Sequence, residues 1–256
     1  MVALITGASS GIGRDLAREL AKMNYNLIIV ARSNNKLSDL KKELESKNKI
    51  NVDVQCFDLS DKSNCVKLHD VVAKEYGTID ILINNAGFGT CGKFTETDLD
   101  KEISMINTNI TAYHILTKLF LQDMVKENKG YILNVASIAG FMPGPLMATY
   151  YSTKAYIVRL TQSIRTELGM QKSKVRIAAL CPGPVDTNFN RIADVKFSIS
   201  GQTSEYVAKY TAKKMQKKRT LIFPSLGIFM YRHLCKIMPD QLASYINYFM
   251  QKRKIQ

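Results

Sequence analysis

The sequence predicts an α/β fold in which a doubly wound parallel sheet carries helices on both faces. Short apolar runs alternate along the chain with longer segments whose apolar residues recur every three or four positions. Runs that are apolar throughout are typical of strands buried on both faces of a parallel sheet. A glycine-rich stretch, TGASSGIG, directly follows the first run, where such folds turn from a strand into a helix. Together these observations indicate a Rossmann-type architecture.

Seven apolar runs are predicted to be strands, with helices between them. The predicted strands are residues 2–5, 27–31, 52–57, 79–83, 131–135, 175–180 and 220–223. Helical spacing of apolar residues is clear at Leu37, Leu40 and Leu44. Because no internal repeat or Pro/Gly-rich linker divides the chain, residues 1–256 are expected to form a single domain.

Length and composition are those of a chain that folds around a large core. It has 256 residues, of which 46% are hydrophobic. Met1 leads straight into VALITG without the basic segment of a secretory signal. No apolar run reaches the roughly 18 residues of a membrane span. We therefore expect a cytoplasmic protein.

Cysteine and histidine usage argues against a disulfide framework and against a metal site. The five cysteines are odd in number and include no C-x-x-C pair, so reduced thiols are expected. His69, His114 and His233 are far apart, and none stands in a ligand-spaced cluster. No metal is expected.

The net charge of +14 is concentrated near the end of the chain. Residues 206–256 contain eleven Lys or Arg and one acid, so +10 of the excess lies in the last fifth. A strongly basic chain can indicate a polyanionic partner. Because the excess here is local, no nucleic-acid partner is expected.

The glycine-rich stretch has the features of a phosphate-binding turn. Gly7, Gly11 and Gly13 would allow a tight turn, close backbone approach and the start of a helix. The free N–H groups and positive dipole end of a helix amino terminus suit a pyrophosphate. A tight strand-to-helix connection would also use glycines, but the position after the first strand favours nucleotide binding.

Five motifs, in family order, resemble those of the classical short-chain dehydrogenase/reductase family. They are TGASSGIG, NNAG at 84–87, NVAS at 134–137, YYSTK at 150–154 and CPGPVDT at 181–187. The resemblance covers residues 1 to about 225. It implies a Rossmann-type domain that moves hydride between a nicotinamide cofactor and a carbonyl or alcohol. It also implies a catalytic set of Asn, Ser, Tyr and Lys.

Two adjacent tyrosines are candidates for the catalytic one. On a helix, Tyr150 and Tyr151 both share a face with Lys154, so spacing alone leaves both open. The family places its serine thirteen residues before the tyrosine, and Ser137 stands thirteen before Tyr150. The resemblance therefore assigns Tyr150, and Tyr151 is expected to pack or to face a subunit contact.

The charge of Lys154 is expected to act on the Tyr150 phenol. A free phenol titrates near pH 10, and a nearby ammonium favours the phenolate, so we expect its pKa to be lowered toward neutrality. By resemblance, Lys154 also holds the nicotinamide ribose, and Ser137 donates a hydrogen bond to the substrate oxygen. The family pattern matches Asn109 rather than Asn107, and it implies that Asn109 holds a water that relays protons from Lys154.

The resemblance places the cofactor against the glycine turn, the ends of further strands and the CPGPVDT loop. The implied cofactor contacts are Gly7, Ser9, Ser10, Gly11, Ile12, Gly13, Arg32, Asp58, Leu59, Asn85, Ala86, Gly87, Tyr150, Lys154, Pro182, Gly183, Val185 and Thr187. Each segment also has a plainer interpretation. NNAG could be only a turn, Asp58 a helix cap, and CPGPVDT a Pro-Gly loop.

The end of the second strand predicts NADP(H) as the cofactor. It reads IIVARSNNKL, with no acid to accept a hydrogen bond from the ribose 2′-hydroxyl of NAD. The guanidinium of Arg32 would suit a 2′-phosphate. Ser10 stands where many NADP-dependent relatives carry a second base, and Arg32 could also be an ordinary solvated residue.

Residues 188–205 lie where the family has its substrate lid. Its apolar residues are Phe189, Ile192, Val195, Phe197 and Ile199. The opposite wall of the substrate pocket is predicted to comprise Phe141, Met142, Leu146 and Met147. These side chains predict an apolar carbonyl or alcohol substrate, although each could instead pack the lid onto the domain.

Residues 226–256 form a basic, apolar C-terminal extension beyond the family motifs. Two short helices broken near Pro239 are predicted, each with an apolar stripe. The stripes are Met230, Leu234, Ile237 and Met238 on the first helix and Leu242, Tyr245, Ile246 and Phe249 on the second. The stripes would either cover the substrate pocket or a neighbouring subunit, or attach the protein peripherally to an anionic membrane. The resemblance also implies a homodimer or homotetramer that pairs through helices at about 98–126 and 150–169.

Two functions from different classes remain open on the sequence. The first is an NADP(H)-dependent oxidoreductase, and the second is a catalytically idle NADP-binding protein that acts as a redox sensor or interaction module. The presence of Asn109, Ser137, Tyr150 and Lys154 together favours the enzyme, because an idle sensor has no need of all four.

Overall fold

The computed structural model of the protein describes residues 1–187, 189, 201–217 and 219–252. Its strands are β1 (Val2–Thr6), β2 (Asn26–Ala31), β3 (Val52–Cys56), β4 (Ile81–Asn84), β5 (Tyr131–Val135), β6 (Arg176–Leu180), β7 (Val185–Asp186), β8 (Gln202–Thr203) and β9 (Leu221–Ile222). Within this part of the chain, seven strands form one parallel sheet in the order β3-β2-β1-β4-β5-β6-β9. Strands β7 and β8 form a separate parallel pair.

Helices connect the strands on both sides of the sheet. They are α1 (Gly11–Lys22), α2 (Asn34–Lys47), α3 (Lys62–Tyr76), α4 (Leu99–Ile106), α5 (Ala112–Lys126), α6 (Ala148–Met170), α7 (Ser204–Met215), α8 (Leu226–Ile237) and α9 (Asp240–Lys252). A π-helical turn (Asn107–Thr111) joins α4 to α5, and a 3₁₀ turn (Ile138–Phe141) follows β5.

The central strands are mostly apolar because helices cover both faces of the sheet. Strands β4 and β5 are buried along their whole length. On one face, Leu16 of α1 and Leu37 of α2 pack in the core, and on the other Leu68 of α3 and Phe120 of α5 do so. The predicted doubly wound α/β fold is confirmed.

The strand order reverses beside β1, which pairs with β2 on one side and β4 on the other. In doubly wound sheets the loops on the two sides of such a reversal lead away in opposite directions. A crevice therefore opens at the carboxyl ends of the strands, where ligands bind. The topology alone thus places the site beside the glycine-rich turn.

Two predicted strands differ from the structure at their ends. The strand predicted at 79–83 is Ile81–Asn84, and the one predicted at 220–223 is Leu221–Ile222. Ile79 is fully buried, but pairing with β1 begins only at Ile81. An apolar run in the sequence predicts which residues are buried, but it does not show which of them pair with a neighbouring strand.

The two C-terminal helices are separated at Pro239 as predicted, but their apolar stripes do not enter the core. Leu234, Ile237, Tyr245 and Phe249 are each more than half exposed. Among the described helices, none combines the length and apolar character that crossing a bilayer requires.

Candidate active site

A cavity of about 700 Å³ opens at the carboxyl ends of strands β1 to β6. All residues predicted to contact the cofactor line this cavity, except Gly13. Of the four predicted catalytic residues, Ser137, Tyr150 and Lys154 line it, and Asn109 lies behind its wall. The fold therefore brings the separate sequence motifs to one place.

The turn after β1 is built so that only glycine fits at its key positions. Gly7 and Gly11 have φ angles of +65° and +55°, in the region that side chains disfavour. A Cβ atom on Gly13 would lie 2.4 Å from the Gly7 carbonyl oxygen. Gly13 is thus needed for close packing under the turn rather than for lining the cavity.

The segment after β4 holds the glycine turn in place. Asn85 donates hydrogen bonds from Nδ2 to the carbonyl oxygens of Thr6 (3.0 Å) and Gly7 (3.1 Å). The Thr6 hydroxyl accepts from the backbone N–H groups of Asn85 and Ala86. Asn84 does not line the cavity, because it ends β4 and is buried against Thr117 and Asn134. Sequence reasoning missed Thr6, whose hydroxyl lies on a strand that otherwise reads as apolar.

The amino terminus of α1 points at the cavity with its amides uncapped by a side chain. Ser10, the residue before α1, makes no capping hydrogen bond, whereas Asp61, Asp98 and Thr203 cap α3, α4 and α7. Amides at a helix amino terminus need an acceptor, and a phosphate oxygen meets that need.

Two basic residues lie beside the cavity in the segment that leads from β2 into α2. Arg32 is largely exposed, and its Nη1 lies 3.9 Å from the Asp58 carboxylate. Lys36, in the first turn of α2, and Ser33, which precedes α2, also line the cavity. Sequence reasoning missed Lys36, although its position four residues after Arg32 at a helix amino terminus was a usable signal.

Tyr150 is the half-buried acid of the site. Burial raises the pKa of Tyr150 to about 12, and an interaction with the Ser137 hydroxyl only partly opposes this shift. The predicted lowering toward neutrality is therefore wrong for the protein alone. Lys154 Nζ lies 5.8 Å from the Tyr150 ring centroid, and at this separation desolvation outweighs the attraction.

Lys154 is itself held in a buried position beneath the cavity. Its Nζ donates a 2.9 Å hydrogen bond to the carbonyl oxygen of Val135, which also accepts from the Tyr113 hydroxyl. Burial lowers the pKa of Lys154 to about 8. An ammonium with a depressed pKa can take part in proton transfer near neutral pH.

Asn109 lies in the π-helical turn and is fully buried. Its Nδ2 donates to the Phe88 carbonyl oxygen (2.9 Å) and to the Thr153 hydroxyl (3.1 Å), and its Oδ1 accepts from Phe88 N–H (3.1 Å). Thr153 precedes Lys154 on α6. Both amide hydrogens are occupied, so the implied water-holding role cannot use them. The side chain instead clamps the segment after β4 to α6.

Tyr151 is closer to the site than predicted. It lines the cavity edge, and its hydroxyl accepts a hydrogen bond from Gln251 of α9. It thus contacts the C-terminal extension of its own chain.

Only some of the residues predicted to line the substrate pocket do so, and most of the predicted lid lies outside the described residues. Met147 lines the cavity, but the other predicted wall residues, Phe141, Met142 and Leu146, do not. Phe141 instead packs on Phe223 with ring centroids 5.8 Å apart. The Phe189 ring lies 5.2 Å from that of Tyr150. Residues 188 and 190–200 of the predicted lid lie outside the described residues, and positions 204–205 belong to α7 rather than to a lid.

The cavity fits an extended nucleotide with a phosphate at its centre. A Cβ atom on Gly11 would lie 2.9 Å from Cγ2 of Thr187, so the glycine turn closes directly against the CPGPVDT loop. The uncapped amides of α1 face this narrow point. One arm of the cavity leads to Arg32 and Asp58, and the other leads to Tyr150 and Lys154. A nicotinamide dinucleotide in this cavity would supply or accept a hydride.

The curated relatives of this chain include an enzyme named for its cofactor. An NADP-dependent 3-hydroxy acid dehydrogenase of Schizosaccharomyces pombe is 38% identical over 190 residues, which span 73% of this chain and 72% of that protein. Among solved structures, a short-chain dehydrogenase of Sphingobium yanoikuyae in complex with NADPH matches with a TM-score of 0.82 and 25% identity. That match covers 93% of this chain and 96% of the other.

A second solved structure has the same fold with a different cofactor. The short-chain dehydrogenase/reductase of Burkholderia phymatum in complex with NAD matches with a TM-score of 0.82 over 91% of this chain and 92% of the other, at 24% identity. Residues 1–195 match the profile of the family described as short chain dehydrogenase. The chain therefore belongs to the short-chain dehydrogenase family of oxidoreductases.

Proposed function

We propose that this protein is an NADP(H)-dependent reductase of apolar ketones or aldehydes that also oxidises the corresponding alcohols. The observation that carries the proposal is that Ser137, Tyr150 and Lys154 line the same cavity as the glycine turn. The Ser137 oxygen accepts from Ala139 N–H, which leaves its own hydrogen to donate to a substrate oxygen. Tyr150, with a pKa raised to about 12, keeps its proton at neutral pH and can give it to that oxygen.

The positive charge of Lys154 acts after the proton has left. Transfer from Tyr150 leaves a phenolate in a half-buried position, and the nearby ammonium of Lys154 stabilises it. In the oxidation direction the same groups act in reverse, with the phenolate taking the proton of the alcohol. Lys154 is held for both directions by its bond to Val135.

Arg32, Lys36 and Ser33 support NADP(H) over NAD(H). Two bases, a hydroxyl and the amino terminus of α2 converge on one end of the cavity, which suits a 2′-phosphate. The relative from Schizosaccharomyces pombe is named as NADP-dependent. The Asp58 carboxylate lies 3.9 Å from Arg32 and partly offsets its positive charge. The charge of Lys36 therefore adds to the attraction for a 2′-phosphate.

Dissociation constants for NADPH and NADH would test this preference. Arg32→Gln and Lys36→Gln should each weaken NADPH binding while leaving NADH binding nearly unchanged. A charge-assisted bond is worth about 1.5–3 kcal/mol, which is roughly tenfold to a hundredfold in affinity. Lys42→Gln is the matched control, because Lys42 is exposed on the same helix and does not line the cavity. Equal affinity of the wild type for both cofactors would contradict the preference.

The substrate arm of the cavity supports an apolar carbonyl. Met147, Phe189, Tyr151 and Pro184 line it around Tyr150. A panel of ketones and aldehydes of increasing apolar size, followed by cofactor absorbance, would test the substrate class. Rates should rise with apolar size. Turnover confined to small polar carbonyls would contradict the proposed class.

We also infer that the protein is a homodimer or homotetramer that pairs through α4, α5 and α6. His114 Nδ1 and the Tyr156 hydroxyl, 2.7 Å apart, already join α5 and α6 into one surface. Light scattering should give a mass at least twice 28.8 kDa. A monomer at micromolar concentration would contradict the inference.

A further inference from the structure

Helix α9 is oriented with its polar side inward and its apolar side outward. Ala243, Asn247 and Gln251, one helical turn apart, are 5%, 3% and 2% exposed. Leu242 and Tyr245, on the other side, are 51% and 69% exposed. A helix that packs on a soluble domain normally has the reverse arrangement.

Specific hydrogen bonds fix this orientation. Asn247 Nδ2 donates to the Pro143 carbonyl oxygen at 2.8 Å, and its Oδ1 accepts from the Tyr231 hydroxyl of α8 at 3.2 Å. Gln251 donates to the Tyr151 hydroxyl at the cavity edge. Rotating α9 to bury its apolar side would break these bonds and leave buried polar groups without partners. The outward apolar side is therefore a fixed feature of the fold.

Helix α8 also presents an apolar stripe to solvent. We call six exposed apolar side chains of the two helices the C-terminal face, and each of the six is between 51% and 83% exposed. They are Met230, Leu234, Ile237, Leu242, Tyr245 and Phe249. Exposed apolar patches of this kind on a soluble protein mark an interaction surface.

The charge of the segment identifies the partner's chemistry. Residues 226–256 contain five basic residues and one acid, which gives 5 − 1 = +4. Two of the five, at positions 253 and 254, lie beyond the described residues. A second copy pairing symmetrically through this face would place +4 against +4, and like charges oppose such contacts. An anionic surface with an apolar interior complements both the charge and the apolar side chains.

We propose that the C-terminal face docks peripherally on an anionic lipid surface. Apolar and aromatic side chains enter the boundary between headgroups and acyl chains, while the basic residues are attracted to the lipid charge. Because α9 contacts Pro143 and Tyr151, docking would hold the cavity beside the lipid. This inference concerns where the protein binds and does not depend on which substrate it reduces.

Co-sedimentation of the full-length protein with vesicles tests the proposal. The probes are vesicles of phosphatidylcholine alone and of phosphatidylcholine mixed with phosphatidylglycerol. The wild type should bind the anionic vesicles more tightly, and added salt should weaken that binding. Equal binding to both vesicle types, or binding to neither, would overturn the proposal.

Two exposed-site variants locate the binding surface, and each has a matched control. Tyr245→Ser with Phe249→Ser should weaken binding to anionic vesicles roughly tenfold or more, because two inserted aromatic side chains are lost. Val66→Ser with Val71→Ser, at residues 43% and 39% exposed on α3, should have no effect. Lys252→Glu should weaken binding roughly fivefold or more, whereas Lys174→Glu, in the loop before β6, should not.

Thermal unfolding of each variant checks that the variant still folds. The salt and lipid dependence of wild-type binding tests the proposal independently of every variant. Light scattering of the aromatic double variant separates a lipid surface from a second copy. If this variant changed the oligomeric state and wild-type binding ignored lipid charge, the face would be a subunit contact and the proposal would fail.

Discussion

Lys154 is buried and Tyr150 is half-buried, and the protein destabilises the charged form of each. Burial lowers the pKa of Lys154 to about 8 and raises that of Tyr150 to about 12. Both shifts favour the neutral form, so at neutral pH the protein maintains one buried ammonium at a cost in stability. Sites that carry such costs are expected where function needs the group.

Replacing Lys154 by methionine should therefore stabilise the protein while it abolishes turnover. Lys154→Met keeps the length of the side chain and removes the buried charge. Val135 loses one donor but retains the bond from Tyr113, so no buried acceptor is left unpaired. Denaturant unfolding at pH 7 should give the variant a free energy of unfolding roughly 1–3 kcal/mol higher than that of the wild type.

The pH dependence of that gain provides the control. Below pH 8, Lys154 is charged in both the folded and unfolded chain, and the wild type bears the full cost of burial. Between pH 8 and its ordinary value of 10.5, the unfolded chain binds more protons, so wild-type stability rises with pH. The difference in free energy of unfolding between the variant and the wild type should therefore shrink over this pH range. A gap that stayed constant with pH would contradict a buried charge.

At this scale the sequence predicted which side chains meet at one cavity, but not the electrostatics of these side chains. The thirteen-residue spacing from Ser137 selected Tyr150 over Tyr151, and both tyrosines line the cavity. The direction of the Tyr150 pKa could not be predicted, because it depends on how deeply the ring is buried. The side-chain bonds of Asn109 depend on a π-helical turn that no spacing pattern in the sequence indicates.

The turn from β1 into α1 is the element whose backbone determines the cofactor site. Gly13 matters through packing, because any side chain there would meet the Gly7 carbonyl oxygen and Asn85. The turn must stay closed for the amides of α1 to face the cavity.

Gly13→Ala should destabilise the protein by about 2–4 kcal/mol and weaken NADPH binding. The new Cβ would lie 2.4 Å from the Gly7 carbonyl oxygen, so the turn must open. Gly169→Ala is the control. That glycine lies in α6 with no atom closer than 3.6 Å to an added Cβ, and the change should stabilise by about 0.5–1 kcal/mol. Equal stability of the two variants, measured by denaturant unfolding, would contradict this account of the turn.

The elements themselves were largely predictable, since strands buried on both faces leave continuous apolar runs. Helix α9 was the exception. Its apolar stripe was predicted from Leu242, Tyr245, Ile246 and Phe249, but periodicity gives the stripe and not the side that faces the protein. The orientation depends on Asn247, whose partner Pro143 is 104 residues away in sequence.

At the scale of the whole molecule, one cavity joins the glycine turn, Arg32 at the end of β2 and the Tyr150–Lys154 pair. The family profile ends at residue 195, so the C-terminal helices lie beyond the part of the chain that it matches. The proposed hydride transfer thus rests on the matched part of the chain, whereas the proposed lipid docking rests on α8 and α9.

The most direct test of the account compares turnover of Tyr150→Phe and Tyr151→Phe with the best carbonyl from the substrate panel. Tyr150→Phe removes the proton donor and should lower kcat by roughly 10²- to 10⁴-fold, with NADPH affinity nearly unchanged. Tyr151→Phe removes only the hydroxyl that contacts Gln251 and should keep most activity. Full activity of Tyr150→Phe, or loss of activity in Tyr151→Phe alone, would contradict the assignment of Tyr150 as the proton donor.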